Sequence, residues 1–491
     1  MIRLTWVQPE DLVGHELRQA EEEGKDVEAI KSRWLTAGGH LAPARAGASP
    51  TPPAPQLRAL AEELLTELSQ PPALWAGVPQ GGTGGHNATH RPAPENKAPR
   101  QAVSGRGARA RSALMSHRGE KEALRHRLHA AWLGRAAGCL LGKPVEKLPL
   151  TAIRSLAQAA GNWPLSTWFT ERGVPRELRE AHPWNKRSAQ NSLAENINGM
   201  PEDDDLNYPL LNLRLLQRHG SDFTTTDVAR LWLDELPAAR TFTAERIAYR
   251  NLLSGIEPPH TATHHNPFRE WIGALIRADV HGWTHPGAPT AAADSAYRDA
   301  CLTHTANGVY GAMFAAATIA EAAAGTGDVH HCLRTGLTVV PPDSRLARAV
   351  RHSIQLATRT ADFDHVVDEL HAAYGHHHWV HVIPNAALLA AALTHAEGDF
   401  TGSITRAVSG GWDTDSNGAT AGSIAGLLAG HPDALPDRWT SPLKNRLASS
   451  VPGFDGIGFD TLADLTTELA LTTELAQQTQ QPQEIQETPR P

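Results

Sequence analysis

Two acidic runs carry the residue types most able to do chemistry. The first is Glu202-Asp203-Asp204-Asp205, followed by Leu206-Asn207-Tyr208 and a helical pattern. Four adjacent carboxylates repel one another strongly unless positive charge sits among them. A divalent cation is the natural partner, because hard cations take oxygen ligands. The competing account is an acidic helix N-terminus set against the helix dipole. The second run is Ser409-Gly410-Gly411-Trp412-Asp413-Thr414-Asp415-Ser416-Asn417, ahead of an Ala/Gly-rich helix. Asp413, Asp415 and Ser416 can aim three oxygen groups at one point from a helix start, and the glycine pair permits a tight approach. Here the competing account is an N-capped helix with Asp-rich turn chemistry. Two such clusters, about two hundred residues apart, suggest one shared binuclear site. Two ions roughly 3.5–4 Å apart orient a water and hold vicinal hydroxyls. An all-oxygen ligand set favours Mg²⁺, with Mn²⁺ second.

The elements that must position these groups are helices. From about Glu120 to Ala463 the chain runs in long Ala/Leu-rich segments of period near 3.6, at Lys121–Gly142, Tyr208–His219, Ala300–Ala324, Pro384–His395 and Asn417–Ala429. Short β-like runs such as Trp379–Ile383 are isolated and do not alternate with helices, so the fold class is all-α. Glycines recur inside the helices at Gly134, Gly138 and Gly142 and at Gly308, Gly311, Gly422 and Gly426. Each costs roughly 1 kcal/mol against Ala, which close helix packing or a closely approaching ligand can offset.

Four regions follow. Residues 1–70 predict a small helical region, with Leu12, Val13 and Leu17, then Val27, Ile30 and Trp34, then Leu60, Leu64 and Leu65 on helical stripes. Residues 71–118, rich in Pro, Gly and Arg, predict a disordered linker. Residues 119–465 form the large domain, and 466–491 a flexible tail.

The chain has 491 residues and a formal net charge of −8, which argues against nucleic acid as the main partner. No run of eighteen apolar residues occurs, so no membrane span is expected. The N-terminus lacks a signal-like apolar stretch. The three cysteines, Cys139, Cys301 and Cys332, match no zinc or disulfide framework. Together these place the protein in the cytoplasm.

Four segments, in order, resemble the ADP-ribosylglycohydrolases, the group that includes the dinitrogenase-reductase-activating glycohydrolase and the ADP-ribosyl-acceptor hydrolases. Gly134 to Glu146 is similar to that family's opening glycine-rich helix, which ends in an acidic residue. The Glu202–Asp205 block resembles its Thr-Asp-Asp-Thr metal motif. Asp299 to Gly311 resembles the middle helix with a substrate-facing His. Gly410 to Ser416 resembles its closing Gly-Gly-Asp-Thr-Asp-Thr motif. The likeness covers about residues 125–435.

The resemblance implies a large compact orthogonal bundle of helices around two divalent metals. It makes Asp413, Asp415 and Ser416 metal ligands. It adds Asp204 and Asp205 if Asp203 stands for the leading Thr, or Asp203 and Asp204 if Glu202 does. Glu146 and Asp204 would be catalytic, and His304 and Asn307 would face the ribose or phosphate. Gly273 and Arg277, in a stretch similar to the phosphate-binding loop, would bind substrate together with Gly311. The implied partner is an ADP-ribosylated protein or a small ADP-ribose-containing molecule, and the implied reaction is hydrolysis at the distal ribose C1. Cys139 stands where the family usually carries Asp, the acidic block lacks its leading hydroxyl, and Trp412 is inserted before Asp413.

Other features read differently. His376-His377-His378 with His381 fits a surface or interface role better than one ion, since adjacent histidines cannot all face it. Trp271 and Trp283 could stack on adenine but suit core or rim. Two rival functions are a module that binds ADP-ribose without cleaving it and a hydrolase of a small N-riboside. A helical terpene synthase also uses Asp-rich motifs, but the second run lacks the later Glu ligand of that class.

Overall fold

The structure is a computed structural model that describes residues 2–43, 47–69, 113–186 and 188–480. Among the described residues there are 21 α-helices and no strand; extended pairing is limited to isolated bridges such as Trp271 to His381. The expected all-α class is what forms, and the β-like run at Trp379–Ile383 supplies only that bridge before a helix begins at Val382.

The central pair of helices is Ala113–Gly142 and Thr414–Ala429. They run antiparallel with backbone against backbone. A Cβ added at Gly134 would lie 2.1 Å from the Gly422 carbonyl oxygen, and one at Gly138 would lie 1.8 Å from that of Gly418. At Gly142 the clash would be with Thr414, whose hydroxyl donates to the Gly142 carbonyl at 2.8 Å. Glycines four residues apart on each helix therefore form one seam, and the helix-propensity cost is offset by this contact. The seam sets the end of the first helix, next to Glu146, against the start of the second, next to Asp413.

Several boundaries differ from expectation. The segment expected as one helix over Ala300–Ala324 is two, Pro289–Ala300 and Ala306–Ala324, and His304 sits in the break. The flexible tail expected from residue 466 is instead the continuation of a helix over Phe459–Gln480. Thr466 and Thr467 are buried there; both hydroxyls bond back to helix carbonyls at 2.7 Å, and Thr466 also accepts from the Trp132 indole at 3.0 Å. Of the expected linker, 113–118 begins the glycine-rich helix, and 71–112 lies outside the described residues.

The N-terminal helices Pro9–Glu22, Glu28–Thr36 and Pro55–Leu68 form as the periodicity predicts. Their apolar faces do not make a separate core. Leu12, Val13, Leu17, Trp34, Leu64 and Leu65 belong to the same continuous buried cluster as the large domain. Arg269 pairs with Glu16 at 2.8 Å and Glu23 at 2.7 Å, while His377 and His381 each lie 3.1 Å from Glu22. His377, His378 and His381 thus all meet the N-terminal helix, His378 through the ring of His15. The ligand atoms of His377, His381 and Glu22 lie within 4.8 Å of one another. However, the Nδ1 of His381 already accepts from the Ile383 amide at 3.2 Å, so in the neutral ring its Nε2 carries the hydrogen and is no free ligand atom.

Candidate metal centre and substrate cavity

Asp413 enters the site from a tight turn. Gly411 and Trp412 both have left-handed backbone, with φ of 81° and 56°. The inserted Trp412 stacks flat on His371, 3.9 Å between ring centres. The Asp413 amide donates to Asn385 Oδ1 at 3.1 Å, and Asn417 donates to the same oxygen at 2.8 Å, locking the turn to the helix it starts.

Glu146 follows a short 3-10 turn at the end of the glycine-rich helix. Asn185 donates to one of its oxygens at 2.6 Å and Lys147 pairs with the other at 2.7 Å. Glu146, Asp413 and Asp415 each bring a carboxylate oxygen within 4.8 Å of the other two. Burial and the nearby Glu146 charge push Asp413 up to about 7. Burial, then Glu146 and Asp413, push Asp415 well above the usual carboxylate range. These shifts express burial and crowding of like charge, which Lys147 offsets only in part. The donor set, all oxygen and closely spaced, fits a hard divalent cation.

The first acidic run divides. Glu202 pairs with Arg240 at 2.9 Å, and both line the cavity. Asp203 caps the helix Asp204–His219, accepting from the Asp205 amide at 2.9 Å, and is ion-paired with Lys143. Burial opposes its ionisation, but Lys143 and the amide outweigh it and hold Asp203 below the usual range. Asp205 is buried with Arg135 at 3.5 Å and the Cys139 thiol at 3.7 Å, and one of its oxygens has no hydrogen-bond partner. Burial, Asp203 and Asp205 push the thiol up, so Cys139 stands as a neutral donor where an acid was expected. Cys139, Asp203 and Asp205 form a second cluster with ligand atoms within 4.8 Å. It is already served by cations of the chain. Asp204 lines the cavity, and burial together with the Asp203 and Asp205 charges pushes it well above the usual range. The acidic-cap account therefore describes Asp203 in this run.

The cavity has a volume of about 520 Å³, within the span of sites that enclose a small organic ligand. Its lining joins Glu146, Asp203, Asp204, Asp413, Asp415 and Ser416 to Lys143, Lys147 and Arg240, and to an aromatic and aliphatic wall. Of the expected substrate contacts, Gly273 lines it. Glu245 fills the space beside Gly273, where a Cβ would lie 2.0 Å from its Oε1.

Arg277, His304, Asn307 and Gly311 are not among the lining residues. Arg277 is fully buried, pairing with Asp299 at 2.6 Å and Glu245 at 2.9 Å, because those buried carboxylates require a counter-charge. His304 is buried behind Glu245, 3.9 Å away, with its Nδ1 2.6 Å from the Thr303 hydroxyl. Burial and Arg277 push its ring well below the usual histidine range. Asn307 donates to Glu270 at 2.9 Å, and Gly311 packs on Val382. These four support the wall from behind, in place of the direct contact expected of them. Trp271 and Trp283 are core residues, Trp283 fully enclosed against Trp132.

Sequence reading did not single out Lys143, Lys147, Asn185, Arg240 or Glu245. Lys143 and Lys147, flanking Glu146 at the end of a glycine-rich helix, were the one available signal.

The family profile described as ADP-ribosylglycohydrolase matches residues 120–482. No curated protein sequence matches the chain. A solved structure described as "ADP-ribosylglycohydrolase-related protein complex" is similar at 20% identity and a TM-score of 0.46, covering 72% of this chain and 99% of that one. With the profile matched over most of its length, the chain belongs to the ADP-ribosylglycohydrolase family, whose members are glycosidases.

Proposed function

We propose that this protein is a metal-dependent hydrolase that cleaves the glycosidic bond at C1 of the distal ribose of an ADP-ribosylated substrate and releases ADP-ribose. The observation that carries this reading is the convergence of Glu146, Asp413 and Asp415 in one cavity. Divalent ions held by Asp413, Asp415 and Ser416, with ligands drawn from Asp203, Asp204 and Asp205, would supply Lewis acidity and a grip on the ribose 2- and 3-hydroxyls; Mg²⁺ is the first choice and Mn²⁺ the second.

Glu146, fixed through both oxygens by Asn185 and Lys147, orients a water toward C1 and takes its proton as the acceptor leaves. Asp204 is the second carboxylate beside the cleaved bond, where an oxocarbenium-like centre develops. Lys147, Lys186 and Arg240 give the lining positive charge suited to a diphosphate. Glu245, backed by Arg277 and His304, shapes the wall beside Gly273.

No helix among the described residues is long and apolar enough to cross a membrane, and the three cysteines are unpaired. We place the protein in the cytoplasm, acting on a modified protein or a small ADP-ribose derivative. A second reading, a module that holds ADP-ribose without cleaving it, draws on Lys143 and Cys139, which leave the first acidic run with fewer free carboxylates.

The test is a panel of ADP-ribosyl-arginine, an ADP-ribosyl-serine peptide, O-acetyl-ADP-ribose and NAD⁺, with and without Mg²⁺ or Mn²⁺, following free ADP-ribose. Metal-dependent release from one member is expected and names the linkage. Metal-dependent binding of ADP-ribose with no release would establish the second reading, and neither would refute both.

A further inference from the structure

The family match begins at residue 120, yet the N-terminal region reaches the cavity. Trp6 is half-buried and is part of the cavity lining, on the wall that also presents Phe242, Ile272, Trp379 and Val380. Its position is built rather than incidental. The backbone of Trp6 is left-handed, with φ of 65°, and its amide donates to the Gly47 carbonyl at 2.5 Å. A Cβ at Gly47 would lie 2.7 Å from the indole, so glycine there makes room for the ring. The ring meets Phe268 and Trp271 edge to face, at 5.5 and 6.0 Å between centres. The preceding residue is tied down as well, since Arg246 donates to the Thr5 hydroxyl at 2.6 Å and to its carbonyl at 3.1 Å.

A large aromatic residue in a left-handed conformation is strained, and such strain persists where surrounding contacts over-determine it, often at ligand sites. The contacts that hold the N-terminal helices fall on Arg269 and Glu270, and on His377 and His381. These residues flank Ile272–Gly273 and Trp379–Val380, the very segments that line the cavity. The docking of residues 2–43 and 47–68 and the shape of this wall are therefore one arrangement.

We propose that the N-terminal region is a working part of the substrate site, and that Trp6 packs against the nucleobase of the ADP-ribosyl group. This rests on the function proposed above. The carboxylate part of the lining suits ribose hydroxyls and metal, and the lysines and arginine suit phosphate. The planar, uncharged remainder of such a ligand is its base, and the remaining wall is aromatic and aliphatic. A base on an indole face is a sequence-tolerant contact of substantial strength. Trp6 thereby acts as a specificity-determining residue for nucleotide-bearing substrates.

The experiment compares the full chain with its Trp6→Ala and Trp6→Phe variants, measuring Mg²⁺-supported binding of ADP-ribose and of ribose 5-phosphate by calorimetry, with thermal melts as the folding control. Trp6→Ala should weaken ADP-ribose binding about tenfold, the order expected for one lost base–aromatic stack, and leave ribose 5-phosphate unchanged. Trp6→Phe should recover most of the loss. Equal weakening of both ligands, or no weakening of either, would overturn the inference while leaving the proposed function standing. A wild-type chain that binds ribose 5-phosphate as tightly as ADP-ribose would also overturn it. Failure of the wild-type chain to bind ADP-ribose at all would overturn this inference, and the proposed function falls with it only if no panel substrate is hydrolysed either.

Discussion

The glycine seam between Ala113–Gly142 and Thr414–Ala429 makes a sharp prediction at Gly138. Replacing it by Ala puts a Cβ 1.8 Å from the Gly418 carbonyl oxygen and 2.4 Å from its carbon. Real Cβ atoms essentially never approach closer than 3.0 Å, so the two helices must separate by about 1.2 Å. Both clashing atoms are backbone, and no side-chain rotation relieves them. Alanine gains about 1 kcal/mol of helix propensity, whereas overpacking a well-filled interior costs about 1–3 kcal/mol. With the cost at the top of that range, Gly138→Ala should lose about 2 kcal/mol of stability in chemical denaturation. Activity should suffer more, because the seam sets Glu146 against Asp413, and a displacement of about 1 Å can cost about 10²-fold in rate. Gly119→Ala is the control: it lies on the same helix, is exposed, and a Cβ there meets nothing within 4 Å. It should be neutral or stabilising by up to about 1 kcal/mol and fully active. If Gly138→Ala behaves like Gly119→Ala in both assays, the helices do not pack backbone on backbone and the argument for how the site is assembled fails.

Glu146→Gln should lower turnover of the best panel substrate by about 10²–10⁴-fold, the usual span for losing a positioned general base; full activity on every hydrolysed substrate would remove Glu146 from the mechanism. The metal-free chain should lose stability as pH rises from about 4 to 7. Asp413 holds its proton when folded up to about 7, against an ordinary 3.8, so folding takes up a proton in that window and its contribution disappears as pH passes 7. Added Mg²⁺ should accordingly raise the melting temperature more at pH 8 than at pH 5, and Asp413→Asn with Asp415→Asn should abolish that rise. A double variant that keeps the full metal-induced shift would refute the ligand assignment.

Periodicity near 3.6 and the two acidic runs were enough to read an all-helical domain and to name Asp413 and Asp415, because those signals are local, whereas Glu146 came from the family resemblance. A glycine every fourth residue marks a helix face whether or not its partner is known, and an Asp-rich turn before an apolar helix is a start signal in itself. The break at Cys301–Thr305 was hidden because no Pro or Gly falls within it and apolar residues resume on both sides, so the polar Thr303-His304-Thr305 passes for one face of a continuous helix. The helix beyond residue 466 was hidden for the opposite reason. Its threonines look solvent-facing by composition, yet they bond to their own helix and to Trp132.

The sequence by itself determined the fold class and the family, since each resides in residue types at short spacing. Tertiary structure alone decided which charges meet. Arg277 looked like a phosphate ligand until Asp299 and Glu245, distant in the chain, claimed it in the interior. Lys143 lies four residues from Cys139 but reaches Asp203, sixty residues on. Trp6 comes to the cavity across more than two hundred residues because the N-terminal helices share the core and ion pairs of the large domain. Burial and electrostatic pairing depend on distances in space, and spacing along the chain does not encode those distances.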